Sequence, residues 1–230
     1  MDERGRPHEG YMTIGTDLTH GSESIQHSPS SFSIGPEDPM ILPRDYFDRP
    51  TLDVARSLIG KYLVRENGRG LIAGKITEVE AYVGPQDKAC HASKGRTART
   101  DVLFGPPGHA YVYLCYGMYE MLNVVTEQEG FPAAILLRAV ECDGLLIDGP
   151  GRLTRALDID RRLNRLDLTV GQVLWFEDRG EAVPRGMLKT YPRIGVDYAG
   201  EWAKKPWRFR LEGRTVRRRS SRIRSGRDTK

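Results

Sequence analysis

The chain has 230 residues, 39% of them hydrophobic, and a formal net charge of +4, values that suit one soluble domain with a sizeable core. The longest apolar run, residues 133–137, is too short to span a bilayer, and no apolar segment follows Met1-Asp2-Glu3-Arg4, so the expectation is a cytoplasmic protein with no membrane partner. Cys90, Cys115 and Cys142 are widely spaced, and only His91 and His109 follow His8, His20 and His27 of the first thirty residues, so neither a zinc ribbon, a disulfide framework nor another metal site is expected.

Residues 1–38 are rich in Gly, Ser, His and Pro without apolar periodicity and read as a disordered leader. A folded domain is expected over 39–212. Its first helix starts at Thr51, a good N-cap, carries Leu52, Ala55, Leu58 and Ile59, and stops at Gly60. Strands follow at 61–65 and 71–82, joined by Glu66-Asn67-Gly68-Arg69-Gly70, whose Asn-Gly signals a hairpin. Alternation on the second strand puts Ile76, Glu78, Glu80 and Tyr82 on one face. Residues 84–107 form a connection long enough to expect function, and carry His91, Arg96 and Arg99.

Residues 110–115 read as a strand, Tyr116-Gly117 as a tight turn and 118–125 as the returning strand, which leaves Tyr116 at an exposed hairpin tip. A strand over 133–140 carries Arg138 near its end, and Gly149-Pro150-Gly151 opens a short helix that buries Leu153, Ala156 and Leu157. Further strands are expected at 170–177 and 193–196. The fold class is α+β: a single domain with a largely antiparallel curved β-sheet, short flanking helices and a protruding β-hairpin. From residue 204 onward there are twelve Lys or Arg against Glu212 and Asp228, a local net of +10, so the rest of the chain carries −6. The basic, disordered tail over 213–230 is either the footprint of a nucleic acid or a solvated terminus.

Spacing alone leaves the chemistry open. Glu78 and Glu80 fit a general base and its neighbour, or polar residues on a solvated strand face. Tyr111, Tyr113, Tyr116 and Tyr119 fit stacking groups for a flat ring, or sheet-forming core residues. His91 fits a pocket residue or a hydrogen-bonded structural group.

The motifs decide more than the spacing. Thr77-Glu78-Val79-Glu80-Ala81-Tyr82-Val83-Gly84-Pro85, Ala89-Cys90-His91, Phe104-Gly105-Pro106-Pro107-Gly108 and the run from Tyr111 to Tyr119 with Asn123 occur in that order. Leu136-Leu137-Arg138-Ala139, Gly149-Pro150-Gly151-Arg152-Leu153 and the run from Arg193 to Trp202 follow. Over residues 42–211 the chain thereby resembles the alkyladenine DNA glycosylases, also called methylpurine or 3-methyladenine DNA glycosylases.

The resemblance implies Glu80 as the catalytic carboxylate that activates water. It implies Tyr82, His91, Tyr113 and Asn123 as the pocket for an extruded purine, and Tyr116 as the side chain inserted into the duplex. It implies Arg138, Thr97 and Arg99 as phosphate contacts, although Arg96-Thr97-Ala98-Arg99-Thr100 lacks the proline and asparagine that relatives carry around the arginine. The expected activity is monofunctional: hydrolysis of the N-glycosidic bond of 3-methyladenine, 7-methylguanine, hypoxanthine or ethenoadenine in double-stranded DNA, leaving an abasic site. No cofactor, no metal and no lyase step are expected, and a monomer, nucleoid-associated if bacterial, is the expected form. Two other readings keep a place beside it: a nucleic-acid-binding protein that keeps the fold without the chemistry, and a glycosidase acting on nucleosides or sugars.

Overall fold

The computed structural model describes residues 39–213 and the backbone of Arg217 and Arg218. The expected leader and, those two residues and Gly213 apart, the expected tail lie outside the described residues. The strands are β1 (Met40–Ile41), β2 (Tyr62–Glu66), β3 (Leu71–Val83), β4 (Ala110–Cys115), β5 (Tyr119–Val125), β6 (Ala133–Cys142), β7 (Leu145–Asp148), β8 (Leu174–Asp178), β9 (Leu188–Tyr191), β10 (Arg208–Leu211) and β11 (Arg217–Arg218). They join in one sheet with the path β1-β8-β2-β3-β6-β5-β4, from which β10 branches onto β3 and β7 onto β6. Every pairing is antiparallel except that of β11 with β7. The helices are short: α1 (Arg44–Phe47), α2 (Thr51–Leu58) and α3 (Pro150–Ala156). The α+β, largely antiparallel architecture expected from the sequence is therefore the architecture present.

β3 is the hub, pairing with β2, β6 and β10. One side of the sheet buries Leu63, Ile76, Val79, Ala81, Leu122, Ile135 and Leu137 with Val54, Ala55 and Leu58 of α2 and Leu153 of α3. Burying the Val, Leu and Ile side chains of this set, each stabilising by roughly 1.5–3 kcal/mol, makes this side the folding core. A smaller cluster around Tyr111, Val125 and Ala134, with Tyr82 and Tyr113 packed against it, lies apart from it.

Local expectations fail where long-range partners intervene. Thr51 is the first residue of α2 and not its cap, a position held by Pro50. Glu127 serves the helix start instead: its Oε1 accepts from the Thr51 amide at 3.0 Å and the Thr51 hydroxyl at 2.5 Å, placing a carboxylate at the positive helix end. The expected strand over 193–196 is absent, because Ile194 gives its amide to a side chain and Gly195 has a φ of 75°. The strand expected from residue 170 begins only at Leu174, after Gly171 with a φ of 67°.

Candidate active site

β3 and β6 are both irregular at one level, and that irregularity aims the site. Ile76 lies opposite Val140, Glu78 opposite Ala139 and Val79 opposite Leu137, so Thr77 on β3 and Arg138 on β6 each have no opposite number. Paired bulges of this kind shift the alternation of side chains. Ile76 consequently joins Val79 and Ala81 in the core and does not share a face with Glu80 and Tyr82 as strict alternation predicted. Glu78, Glu80 and Tyr82 occupy the other face, beside Arg138.

Glu80 is 0% exposed. Its Oε1 accepts from the Ile194 amide at 2.8 Å and faces Arg138 Nη1 at 3.2 Å, while the Tyr82 hydroxyl donates to Oε2 at 2.9 Å. Burial raises its pKa from the usual carboxylate value, outweighing the opposing pull of Arg138, the Ile194 amide and the Tyr82 hydroxyl. A carboxylate so placed is a better base than an exposed one, yet three donors keep it ionisable.

The residues that hold Glu80 also line a cavity of about 470 Å³, together with His91, Arg99, Tyr111, Tyr113 and Asn123. The His91 and Tyr113 rings meet edge to face with centroids 4.7 Å apart, and His91 Nδ1 is hydrogen-bonded to the Tyr111 hydroxyl at 2.9 Å. Burial, aided by the charge of Arg99, pushes the His91 pKa down to about 4, so this imidazole is neutral near pH 7. Burial likewise raises the Tyr82 and Tyr113 pKa values, so both remain phenols. Asn123 Nδ2 donates to the Tyr111 carbonyl at 3.1 Å, which fixes the amide against the cavity wall. The cavity therefore offers a flat, electron-poor guest aromatic faces, a neutral imidazole and a carboxylate behind them.

The predicted site residues divide by place. Tyr82, His91, Tyr113, Asn123 and Arg138 come together as cavity wall, with Glu80 buried behind Tyr82 and Arg138. Tyr116 is 84% exposed at the β4–β5 tip, where it adopts a φ of 51°, unusual for a bulky residue, beside Gly117 at 68°. Arg99 stands at the cavity with its guanidinium 5.1 Å from the Tyr113 ring centroid. Thr97 is separate from the cavity; its hydroxyl and the Thr100 hydroxyl are 3.0 Å apart, closing the loop on itself.

Sequence reasoning did not single out three supports. Asp87 and Arg193 form a buried bidentate pair at 2.5 and 2.8 Å, with the Arg193 guanidinium 4.8 Å from the Tyr82 ring centroid. Ile194 holds Glu80 through its backbone amide, which no side-chain pattern advertises. Tyr198, 71% exposed, stands at the cavity rim with its hydroxyl 3.5 Å from the Ala89 carbonyl. Among the described residues no group of three His, Cys, Asp or Glu is arranged to hold a metal ion, and no helix is long and apolar enough to cross a membrane.

A family model described as methylpurine-DNA glycosylase matches residues 45–215. A protein of Methanocella arvoryzae is 52% identical over 185 residues, which cover 74% of this chain and 91% of the relative. One of Myxococcus xanthus is 51% identical over 173 residues, covering 73% and 88%. One of Legionella pneumophila strain Corby is 47% identical over 174 residues, covering 74% and 94%. All three bear the name "Putative 3-methyladenine DNA glycosylase". A match of that length, with relatives about half identical, shows that the chain belongs to the methylpurine-DNA glycosylase family and, with it, to DNA base-excision repair.

Proposed function

We propose that this chain excises alkylated or deaminated purines from double-stranded DNA by hydrolysing the N-glycosidic bond, leaving an abasic site with no strand cleavage, metal or cofactor. The observation that carries the reading is Glu80: a buried carboxylate of raised basicity behind an aromatic-walled cavity large enough for one purine. The target nucleotide swings out of the duplex at a cost of a few kcal/mol, least where damage has already weakened pairing. Tyr116 enters the stack from the exposed hairpin tip and fills the gap.

The extruded base is held between Tyr82 on one side and His91 with Tyr113 on the other, with Asn123 crowding the exocyclic amine of an undamaged guanine. An alkylated purine carries positive charge and gains cation–π attraction from the phenol faces, as the Arg99 guanidinium does at the Tyr113 ring. Entry of the base moves Arg99 off that ring and onto the DNA backbone, where Thr97 and Arg138 join it as phosphate contacts. A water takes the free side of Glu80 Oε2, loses a proton to the carboxylate and attacks the anomeric carbon as positive charge develops on the sugar.

Cationic 3-methyladenine and 7-methylguanine depart readily and need no further acid. Hypoxanthine and ethenoadenine need protonation on departure, and with His91 neutral they are the slower class. The test is release of free base from duplex DNA carrying alkylated purines or a single hypoxanthine, with chelator present and Glu80→Gln in parallel. Release by the native chain alone supports the reading. Tight lesion binding without release would make the chain a DNA-binding relative without chemistry.

A further inference from the structure

Glu78 has no part in the chemistry above and does not line the cavity, yet it is 3% exposed two residues before Glu80 on the same strand face, against Arg138. Its Oε1 accepts from Arg138 Nε at 3.0 Å and from Arg208 Nη1 at 3.1 Å, and its Oε2 lies 3.5 Å from Arg210 Nη1. The same Arg138 offers its Nη1 to Glu80 Oε1 at 3.2 Å. The result is an unbroken strip of charge across three strands: Glu80 and Glu78 from β3, Arg138 from β6 between them, Arg208 and Arg210 from β10 beyond.

We propose that Glu78 is a positioning residue of the glycosylase reaction, holding one edge of Arg138 so that the other edge meets Glu80 while sharing the charge of that guanidinium. The inference rests on the reading of Glu80 as the base for water. Stabilisation of the fold alone does not account for the pattern. Arg138 satisfied by Glu80 alone could close a bidentate pair on it, which would occupy the carboxylate and lower its basicity. With Glu78 taking Nε, Arg138 reaches Glu80 by Nη1, and Oε2 carries only the Tyr82 hydroxyl. The paired bulges at Thr77 and Arg138 let two carboxylates of one strand flank one arginine of the next.

The other groups around Glu80 do not substitute for this control. Tyr82 on β3 and Tyr113 on β4 are neutral phenols, and His91 beside them is neutral near pH 7. Arg193, from the segment after β9, is matched by Asp87. The charge felt by Glu80 is thus set by Arg138 and by what Glu78, Arg208 and Arg210 do to it.

The experiment is the pH dependence of single-turnover base release from alkylated duplex DNA, with lesion-duplex affinity measured alongside. Glu78→Gln keeps the shape and removes the charge. Its acid limb moves to lower pH by about half a unit and its plateau rate falls about tenfold, well short of the roughly 10²–10⁴-fold of a lost general base, while lesion affinity, to which Arg138 gives one phosphate contact, changes by no more than about two- to three-fold. Glu78→Asp recovers part of the limb. Arg208→Gln acts in the opposite direction, because the uncompensated Glu78 charge and the lost cation both disfavour ionised Glu80, so its limb moves to higher pH. Opposite shifts support the proposal; two profiles superimposed on the native one, with only a lowered Tm, overturn it. Should Glu78→Gln not fold, the upward shift of Arg208→Gln supports the proposal and its absence overturns it. If Glu80→Gln itself releases base like the native chain, the reading of Glu80 fails and this proposal with it, an outcome that the control separates from a failure at Glu78 alone.

Discussion

Glu80 and Asp87 are buried carboxylates on one stretch of chain, each facing an arginine, and they are solvated by the protein in opposite ways. Asp87 accepts from four donors: Arg193 Nη1 and the Val83 amide on Oδ2, Arg193 Nη2 and the Ala89 amide on Oδ1. A carboxylate has about four lone-pair sites, so Asp87 has none to offer a guest. Glu80 has three donors, one of them an arginine that it shares with Glu78, and its Oε2 receives only the Tyr82 hydroxyl. Saturation makes a carboxylate a structural part, whereas an open lone pair under strong desolvation makes it a base. The difference between the two is one of donor count more than of burial.

The comparison breaks if the two residues can exchange roles. Glu80→Gln should lower single-turnover base release by roughly 10²–10⁴-fold, the usual worth of a general base, while lesion-duplex affinity and Tm stay close to native values. Loss of folding in that variant would mean that Glu80, like Asp87, is a structural part. Asp87→Asn should do the reverse. It leaves Arg193 buried with its charge uncompensated, a change that typically costs about 3–5 kcal/mol, and chemical denaturation should report that loss. An Asp87→Asn protein of native stability that has lost base release would assign Asp87 to the chemistry.

The hairpin tip sharpens the same contrast, because a side chain used only in the complex should matter little to the free fold. Tyr116→Ser removes an 84% exposed ring, so Tm should barely move. Lesion-duplex affinity should fall by about 10- to 100-fold if the ring replaces the extruded base in the stack, readable by fluorescence of a base analogue beside the lesion. Unchanged affinity would leave the strained backbone at Tyr116 without a function.

What the sequence made legible follows the range of the forces involved. β4 was expected at its observed bounds, because alternation and the Tyr116-Gly117 turn are local signals. The motif residues at the cavity were likewise named in advance through a family resemblance. The face of Ile76 was assigned wrongly, because a bulge on β3 answers a bulge on β6 some sixty residues away. The segment 193–196 looked like a strand by composition, yet its backbone amide belongs to Glu80, which lies 114 positions earlier. The role of Glu127 at the start of α2 is hidden for the same reason. Long-range backbone donors to carboxylates were the class of interaction that could not be read from the sequence.

The smallest effect is expected at His91, and it decides which group governs the pH profile. Both His91 and Glu80 could give an acid limb, but their pKa values move oppositely: burial lowers the imidazole to about 4 and raises the carboxylate. As pH falls, Glu80 accepts a proton and loses its capacity to activate water while His91 is still neutral. The acid limb of kcat/KM on a cationic lesion therefore belongs to Glu80, and His91→Gln should leave it in place while lowering the rate only several-fold through weaker packing on Tyr113. The same ordering has a stability signature. A histidine whose pKa is depressed on folding favours the fold above its unfolded value of about 6.5, and that contribution is lost as pH falls from there towards about 4. His91→Gln should flatten the pH dependence of unfolding in that window. A limb that moved with His91→Gln would transfer the titration to the imidazole and take from Glu80 the role of the base for water.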